Sequence, residues 1–238
     1  MSETADVWTQ HDNSDKNVRA GAQMRQYQHI ADRIAADLPG GKVLDWGCGF
    51  GQVSNQLLLR GLDVTSYDYE PGDPSVQPLE LYPHISVHHS SEPVALPFED
   101  GQFEAVLSCG VLEHVPDPPG SLAELRRILR PGGTLYVYNL ANRRSYLERL
   151  AKLMGMYYHG KFPNDRVYTL PEARTLLTDN GFRVQEIRRA NMLPLTALTG
   201  GLGQRLAGII WAANQFLARI PGLNQFATNV ELVAVPAT

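Results

Sequence analysis

The residues best placed to do chemistry in this 238-residue chain form one short run, Val43-Leu-Asp-Trp-Gly-Cys-Gly-Phe-Gly51. An apolar stretch ends in an acid and is followed by three glycines at alternate positions. Glycine is needed where backbone turns sharply or lets a ligand touch it. A loop between a strand and a helix also faces the ligand crevice of an open α/β sheet. Two features separate this run from the dinucleotide fingerprint GxGxxG: Gly51 comes one place early, before Gln52, and Asp45 precedes the loop. A carboxylate there repels a pyrophosphate and suits a ligand carrying an ammonium or sulfonium charge. Asp68 stands 17 positions beyond Gly51, close to the spacing at which a strand-end acid binds ribose hydroxyls. The alternative for Asp68 is a solvated strand end. Tyr69, next in line, either covers a purine face or packs in the core.

Two histidines are candidate bases, because imidazole titrates near neutrality. His114, in Leu-Glu-His-Val, comes soon after a strand that ends near Ser108; it is either a base or a loop-packing imidazole. Glu113 beside it orients the ring or is solvated. His159, in Met156-Tyr-Tyr-His-Gly160, is the weaker candidate, with Tyr157, Tyr158 and Phe162 as pocket walls or ordinary packing. Cys48 and Cys109 are the only cysteines, too few for a disulfide framework or a zinc cluster. Cys109 has no evident His/Asn relay, so a buried thiol fits it better than a nucleophile.

The elements that must position these groups alternate in type. A helix is predicted from about 15 to 38, with Val18, Met24, Ile30 and Ile34 as inward points and Pro-Gly-Gly as its stop. Strands follow at 42–46, 62–67, 84–88, 103–108 and 134–139, with helices at 52–60 and 121–129 between them. Strands alternating with helices imply a parallel sheet covered on both faces. Beyond Asn139 the pattern changes to a basic amphipathic helix at 143–154 and a helix at 170–180. The second opens with the capping box Thr169/Glu172. Strands at 182–189 and 228–235 complete the chain, the last of them antiparallel.

These motifs resemble the class I S-adenosylmethionine-dependent methyltransferases, in the branch of ubiquinone- and menaquinone-pathway small-molecule enzymes. The resemblance rests on VLDWGCGFG (43–51), Asp68, ALPFEDGQFEAVLS (95–108), VLEHVPDP (111–118) and LRPGGTLYVYN (129–139). It implies an α/β, Rossmann-like, seven-stranded and mostly parallel sheet with an antiparallel last strand and helical cap insertions. A single domain is expected: an N-terminal helical segment at 1–39, a cofactor core at 40–139, a cap at 140–223 and the last strand at 224–238. The implied cofactor is S-adenosyl-L-methionine. By position, Asp45, Gly47, Cys48 and Gly49 would hold its methionine part, Asp68 its ribose and Tyr69 its purine. Ser91-Glu-Pro-Val94 replaces the usual Gly-Asp-Ala-Glu near the adenine, so Glu92, with Pro93 beside it, is the match for the acid that meets the adenine amino group, and Ser108 and Cys109 would line the methionine side. Methylation at oxygen with His114 as base is the favoured reading. Nitrogen or carbon methylation, a nicotinamide-dependent oxidoreductase and a silent cofactor-bound scaffold are the rivals.

Charge and hydropathy narrow the partners. The net charge of −4 gives no basic field for nucleic acid. No zinc or other metal cluster is expected. No signal segment and no run of 18 or more apolar residues are visible, so a cytoplasmic location is the default. Arg143, Arg144, Arg149, Lys152, Lys161 and Arg166 concentrate positive charge after the fifth strand, for a solvated face, an anionic acceptor or an anionic lipid surface. Residues 202–220 repeat Leu202, Leu206, Ile209, Ala213, Phe216 and Ile220 at helical spacing, which reads as intramolecular packing or a lid, a homodimer face or a peripheral membrane helix. The acceptor is therefore expected to be a small molecule, hydrophobic or amphipathic.

Overall fold

The computed structural model describes residues 20–69, 82, 84–155 and 164–237. Helix α1 (Gly21–Asp37) leads into β1 (Lys42–Trp46), α2 (Gln52–Leu58), β2 (Asp63–Tyr69), β3 (Val87–Ser90) and β4 (Phe103–Cys109). The chain continues through α3 (Pro118–Ile128), β5 (Leu129–Ala141), α4 (Tyr146–Leu153), α5 (Leu170–Asp179), β6 (Phe182–Ala190), α6 (Gly200–Leu217) and β7 (Asn229–Pro236). The sheet order is β3-β2-β1-β4-β5-β7-β6. β7 runs antiparallel to both of its neighbours, and the other pairings are parallel. This is the expected mostly parallel sheet with its last strand reversed.

Side chains alternate across each central strand, so each strand feeds two cores. Val43, Ala105, Leu107 and Tyr136 pack with Ile30 and Ile34 of α1 and Leu57 of α2 on one face. Leu44, Val106 and Leu135 pack on the other with Leu122, Leu125 and Ile128 of α3 and Leu177 of α5. Both faces of the sheet are covered, as βαβ crossovers require.

Several boundaries differ from expectation for local reasons. β3 lies at Val87–Ser90 rather than 84–88, because its parallel register with β2 pairs Ser66 with Val87 and Tyr69 with Ser90. α3 begins at Pro118: Asp117 caps it by accepting from the Gly120 amide at 3.1 Å, and the two prolines occupy positions whose amides would be unpaired anyway. β5 starts at Leu129, which pairs with Phe103; residues 130–133 then bulge out before Thr134 pairs with Ala105. α4 is shorter than the expected 143–154, because Asn142 bridges to Tyr168 and Ser145 caps the helix. The described part of the first helix is Gly21–Asp37, and Val18 lies outside the described residues.

The apolar repeat at 202–220 does not form the buried side of its helix. α6 instead buries Gly203, Ala207 and Asn214 and lies against α1. A side chain placed on Gly21 would stand 3.0 Å from the Ala207 methyl, so small residues set this close crossing. Leu202, Ile209 and Phe216 are 61%, 67% and 67% exposed. Among the described residues, no helix is long and apolar enough to cross a membrane.

Candidate active site

The parallel strands β1, β2, β4 and β5 end at one edge of the sheet, and the glycine loop is folded over it. The Gly47 and Cys48 amides both donate to the Tyr67 carbonyl, at 2.9 and 3.0 Å, and the Gly51 amide closes a turn on the Cys48 carbonyl at 2.9 Å. Gly47 (φ +75°) and Gly49 (φ +51°) occupy left-handed backbone. A Cβ on Gly47 would meet the Val111 side chain at 2.4 Å, whereas one on Gly49 would have nothing among the described residues within 4 Å. The first glycine thus lets the loop lie against the segment after β4, and the second leaves open space above the strand ends.

Two acids frame the loop. Asp68 accepts from the Gly49 amide through Oδ2 and from the Tyr69 amide through Oδ1, each at 2.8 Å. Burial raises its carboxyl, and those two amides oppose the rise. Asp45 is 2% exposed, and its Oδ2 accepts from the Ser54 hydroxyl at 2.6 Å. Burial pushes its carboxyl up to about 6, and the charge of Asp68 adds to that. A buried acid in this state gains from a cationic neighbour. Tyr69 is 40% exposed beside them.

The remaining predicted cofactor residues reach the same edge. The register sets Ser108 of β4 beside Trp46 of β1, and the buried Ser108 hydroxyl has no partner among the described residues. Buried hydroxyls are normally satisfied, so this orphan and the open cradle at Gly49 fit a ligand with hydrogen-bonding groups along the ends of β1 and β4. Cys109 accepts a long contact from Asn139 Nδ2 at 3.4 Å; burial drives its thiol, and that of Cys48, well up. Such a rise favours the protonated thiol over the nucleophilic thiolate. Glu92 and Pro93 are exposed two and three residues beyond β3, where the Glu92 amide donates to Ser90 Oγ at 3.1 Å.

His114 lies in the loop after β4, its amide bonded to the Val111 carbonyl at 2.8 Å. Its ring is about half exposed, and Nδ1 meets Oδ1 of Asp165 at 2.9 Å, on a carboxylate only 2% exposed. Asp165 thus places an acid on the ring. Glu113 is buried at 2% rather than solvated. Arg166, next to Asp165, donates to the Val115, Pro116 and Asn164 carbonyls and so ties the two loops together. Asp165 is not among the residues that the sequence singles out. The Asn-Asp-Arg triplet before Tyr168 carried no pattern that linked it to His114.

His159, Tyr157, Tyr158 and Phe162 lie outside the described residues. Arg143 and Arg144 are engaged within the protein. Arg143 donates to the Val167 carbonyl and pairs with Glu172 at 3.1 Å, and Arg144 reaches Gln225 Oε1 at 3.2 Å. Among the described residues, no group of three or more acids, histidines and cysteines is placed to hold a metal ion.

Comparison with known proteins agrees with this geometry. Residues 44–137 match a family model described as a methyltransferase domain. The chain is 36% identical over 140 residues to ubiquinone biosynthesis O-methyltransferase of Xanthomonas campestris pv. campestris, a match spanning 57% of each protein. It is 31% identical over 201 residues to the enzyme of the same name from Psychrobacter arcticus, covering 76% of this chain and 73% of that one. Among solved structures it resembles the 1,6-didemethyltoxoflavin-N1-methyltransferase of Burkholderia thailandensis, solved with 1,6-didemethyltoxoflavin and S-adenosylhomocysteine. There the TM-score is 0.59 at 21% identity, over 99% of this chain and 87% of that one. With a glycine cradle, a strand-end acid and an orphaned hydroxyl on one sheet edge, and with these relatives, the chain belongs to the class I S-adenosylmethionine-dependent methyltransferases.

Proposed function

We propose that this protein methylates a hydroxyl oxygen of a small hydrophobic or amphipathic molecule, with His114 as the general base. The observation that carries this reading is the His114–Asp165 pair at 2.9 Å, beside the loop that follows β4. A carboxylate that accepts from Nδ1–H fixes the tautomer, and Nε2 then holds the lone pair that takes the hydroxyl proton. Asp165 also stabilises the imidazolium that results, which later returns its proton to solvent. The Arg166 contacts hold the pair in register. The names of the Xanthomonas and Psychrobacter relatives support oxygen as the methylated atom.

The residues that would hold the cofactor are those gathered at the strand ends. In this reading the glycine loop, Asp45, Ser108 and Cys109 lie along the methionine part, Asp68 takes the ribose diol, and Tyr69, Glu92 and Pro93 border the adenine. Bound S-adenosylmethionine supplies an electrophilic methyl carbon on a sulfonium. The chain's own contribution is to bind and align, to keep water from the reacting atoms, and to remove one proton. Residues 40–139 act as the cofactor half and 140–223 as the cap over the acceptor. Mass spectrometry of extracts incubated with deuteromethyl-labelled cofactor tests the proposal. A labelled O-methyl product is expected, and a product labelled only at nitrogen or carbon overturns it.

A further inference from the structure

β6 is an outer strand of the sheet, and its far end carries two consecutive arginines with different fates. Arg188 lies opposite the buried Glu231 of β7 in the register and donates to it through Nε at 2.7 Å. Arg189 stands on the other face of the sheet, the one on which Ile187 packs against the core shared with α5. There it lines a cavity of about 260 Å³ together with Gln215 in the last turn of α6, Arg219 just beyond that helix, and Asn224 of the short 3-10 helix Leu223–Phe226. Among the described residues, the Arg189 guanidinium and the Gln215 and Asn224 side-chain amides have no hydrogen-bond or ion-pair partner. The Arg219 guanidinium donates to the Gln215 carbonyl of its own helix at 2.9 Å. Among the described residues of the lining there is no acid.

The frame around these donors is fixed. Asn191, on the cavity wall, adopts left-handed backbone (φ +64°), and its Nδ2 is shared between Asn139 Oδ1 (3.3 Å) and Asn229 Oδ1 (2.9 Å). Asn139 Oδ1 also accepts from Gln26 Nε2 at 2.7 Å, and Gln26 Oε1 accepts from Gln23 Nε2 at 2.8 Å. This network of amides holds a backbone that persists only where its surroundings dictate it. The connection to α6 is clamped as well: Asn214 accepts from the Leu193 amide at 2.6 Å and donates to its carbonyl at 3.3 Å. Arg144 reaches Gln225 Oε1 at 3.2 Å and Arg149 lies over the Phe226 ring at 5.8 Å, which ties down the 3-10 helix from its outer side.

We infer that this cavity binds a phosphoryl group, carried by a small soluble molecule or by a lipid head group. Two guanidinia with no carboxylate between them carry charge that the fold does not compensate. A phosphoryl dianion supplies that charge together with oxygens for both planar forks, and the two amides add neutral donors. A carboxylate monoanion would satisfy one fork and leave the other. The volume lies just below the range of about 300–1,000 Å³ usual for drug-sized ligands, which suits a phosphoryl group with a short organic part. The donors belong neither to the glycine loop nor to the His114 loop, so the inference stands apart from the proposed methyl transfer.

The test uses the full chain, with binding read by calorimetry. Glycerol 3-phosphate and glycerol are the soluble probes; phosphatidylcholine vesicles with and without phosphatidic acid present the same head group on a bilayer. At least one phosphate-bearing probe is expected to bind at about 1 mM or tighter, with glycerol and plain vesicles silent, and the tighter of the two identifies the source. Arg189→Gln and Arg219→Gln should each weaken it about tenfold or more, and Arg189→Lys, which keeps the charge and loses the fork, about threefold. Melting temperature and S-adenosylhomocysteine affinity should stay at wild-type values in the Arg189 variants, because that guanidinium pairs with nothing among the described residues. Arg183→Gln, at the opposite end of β6 and outside the lining, removes the same charge and should change phosphate binding by no more than about twofold. Silence of both phosphate-bearing probes, an indifferent Arg189→Gln and Arg219→Gln, or an equal loss from Arg183→Gln overturns the site.

Discussion

Asp45 and Ser54 are joined by a 2.6 Å hydrogen bond within a fully enclosed site, and Ser66 donates to the same Ser54 hydroxyl at 2.7 Å. The chain therefore carries an acid that the cofactor reading needs and that burial by the fold itself disfavours. Its folded value of about 6 lies above the ordinary 3.8. The unfolded chain thus gives up this proton first, and stability falls as pH rises from about 4 to 6 and stays reduced above that. Asp45→Asn, whose amide oxygen still accepts from Ser54, is expected to raise stability at pH 8 by up to about 3 kcal/mol. At pH below 4 it should change little. The same variant should bind S-adenosylmethionine more weakly. Thermal melts at the two pH values check the sign, and an equal shift at both contradicts the assignment of a buried, proton-linked acid.

His114→Ala is expected to lower turnover by about 10²–10⁴-fold with cofactor affinity unchanged, the range over which a positioned acid–base group acts. Asp165→Asn keeps the shape of the orienting side chain, removes its charge, and should lie between that variant and the wild type. Formation of S-adenosylhomocysteine measures both. A wild-type rate in His114→Ala removes the histidine as base.

Elements close in sequence were legible, and relationships across the chain were not. The strand Lys42–Trp46 agrees with its expected bounds, because an apolar run closed by glycines has few other uses. The Thr169/Glu172 capping box is present with both of its hydrogen bonds, since capping needs only four consecutive residues. Asp165 is 51 positions from His114, and Gln26 is 113 from Asn139. Nothing local marks either pair, and amides carry no hydrophobic period to betray an inward face. Large apolar residues at helical spacing misdirected the reading of α6. The packed side there is the small one: Ala207 faces Gly21 at close range, and Gly203 lies against the Leu198 carbonyl, where a side chain would not fit.

Gly47→Ala and Gly49→Ala separate two costs that glycine avoids. Both force a side chain into left-handed backbone, a strain of about 1–2 kcal/mol. Only at Gly47 does the new methyl also strike Val111, at 2.4 Å. Gly47→Ala is expected to be the more destabilising by about 1 kcal/mol or more, and adding Val111→Ala should recover the difference and not the rest. Chemical denaturation of the three variants reads this directly.

Asp68→Ala should weaken S-adenosylmethionine by about 1.5–3 kcal/mol, the worth of hydrogen bonds to a charged acceptor. The Gly49 amide also loses its acceptor in this variant. Asp68→Asn, which keeps an acceptor for one of these amides, is expected to recover stability more than affinity. Unchanged calorimetric affinity in both variants would end the ribose assignment.

Ile209→Gln and Phe216→Gln are expected to alter stability by no more than about 0.5 kcal/mol, as exposed positions do. Ala207→Leu, on the opposite side of α6 against Gly21, should cost about 1–3 kcal/mol through overpacking. A large loss from the glutamine variants would show that the exposed apolar side is covered in solution, and sedimentation would then reveal the covering copy.

The amide side chains of Gln23, Gln26, Asn139, Asn191 and Asn229 meet from α1, the outer end of β5, the β6–α6 connection and β7, and all five fall outside the stretch 44–137 that matches the methyltransferase domain. The glycine loop, Asp45 and Asp68 all fall inside that stretch. Similarity through 44–137 therefore speaks for the glycine-loop edge of the sheet and not for the amide cluster beside it.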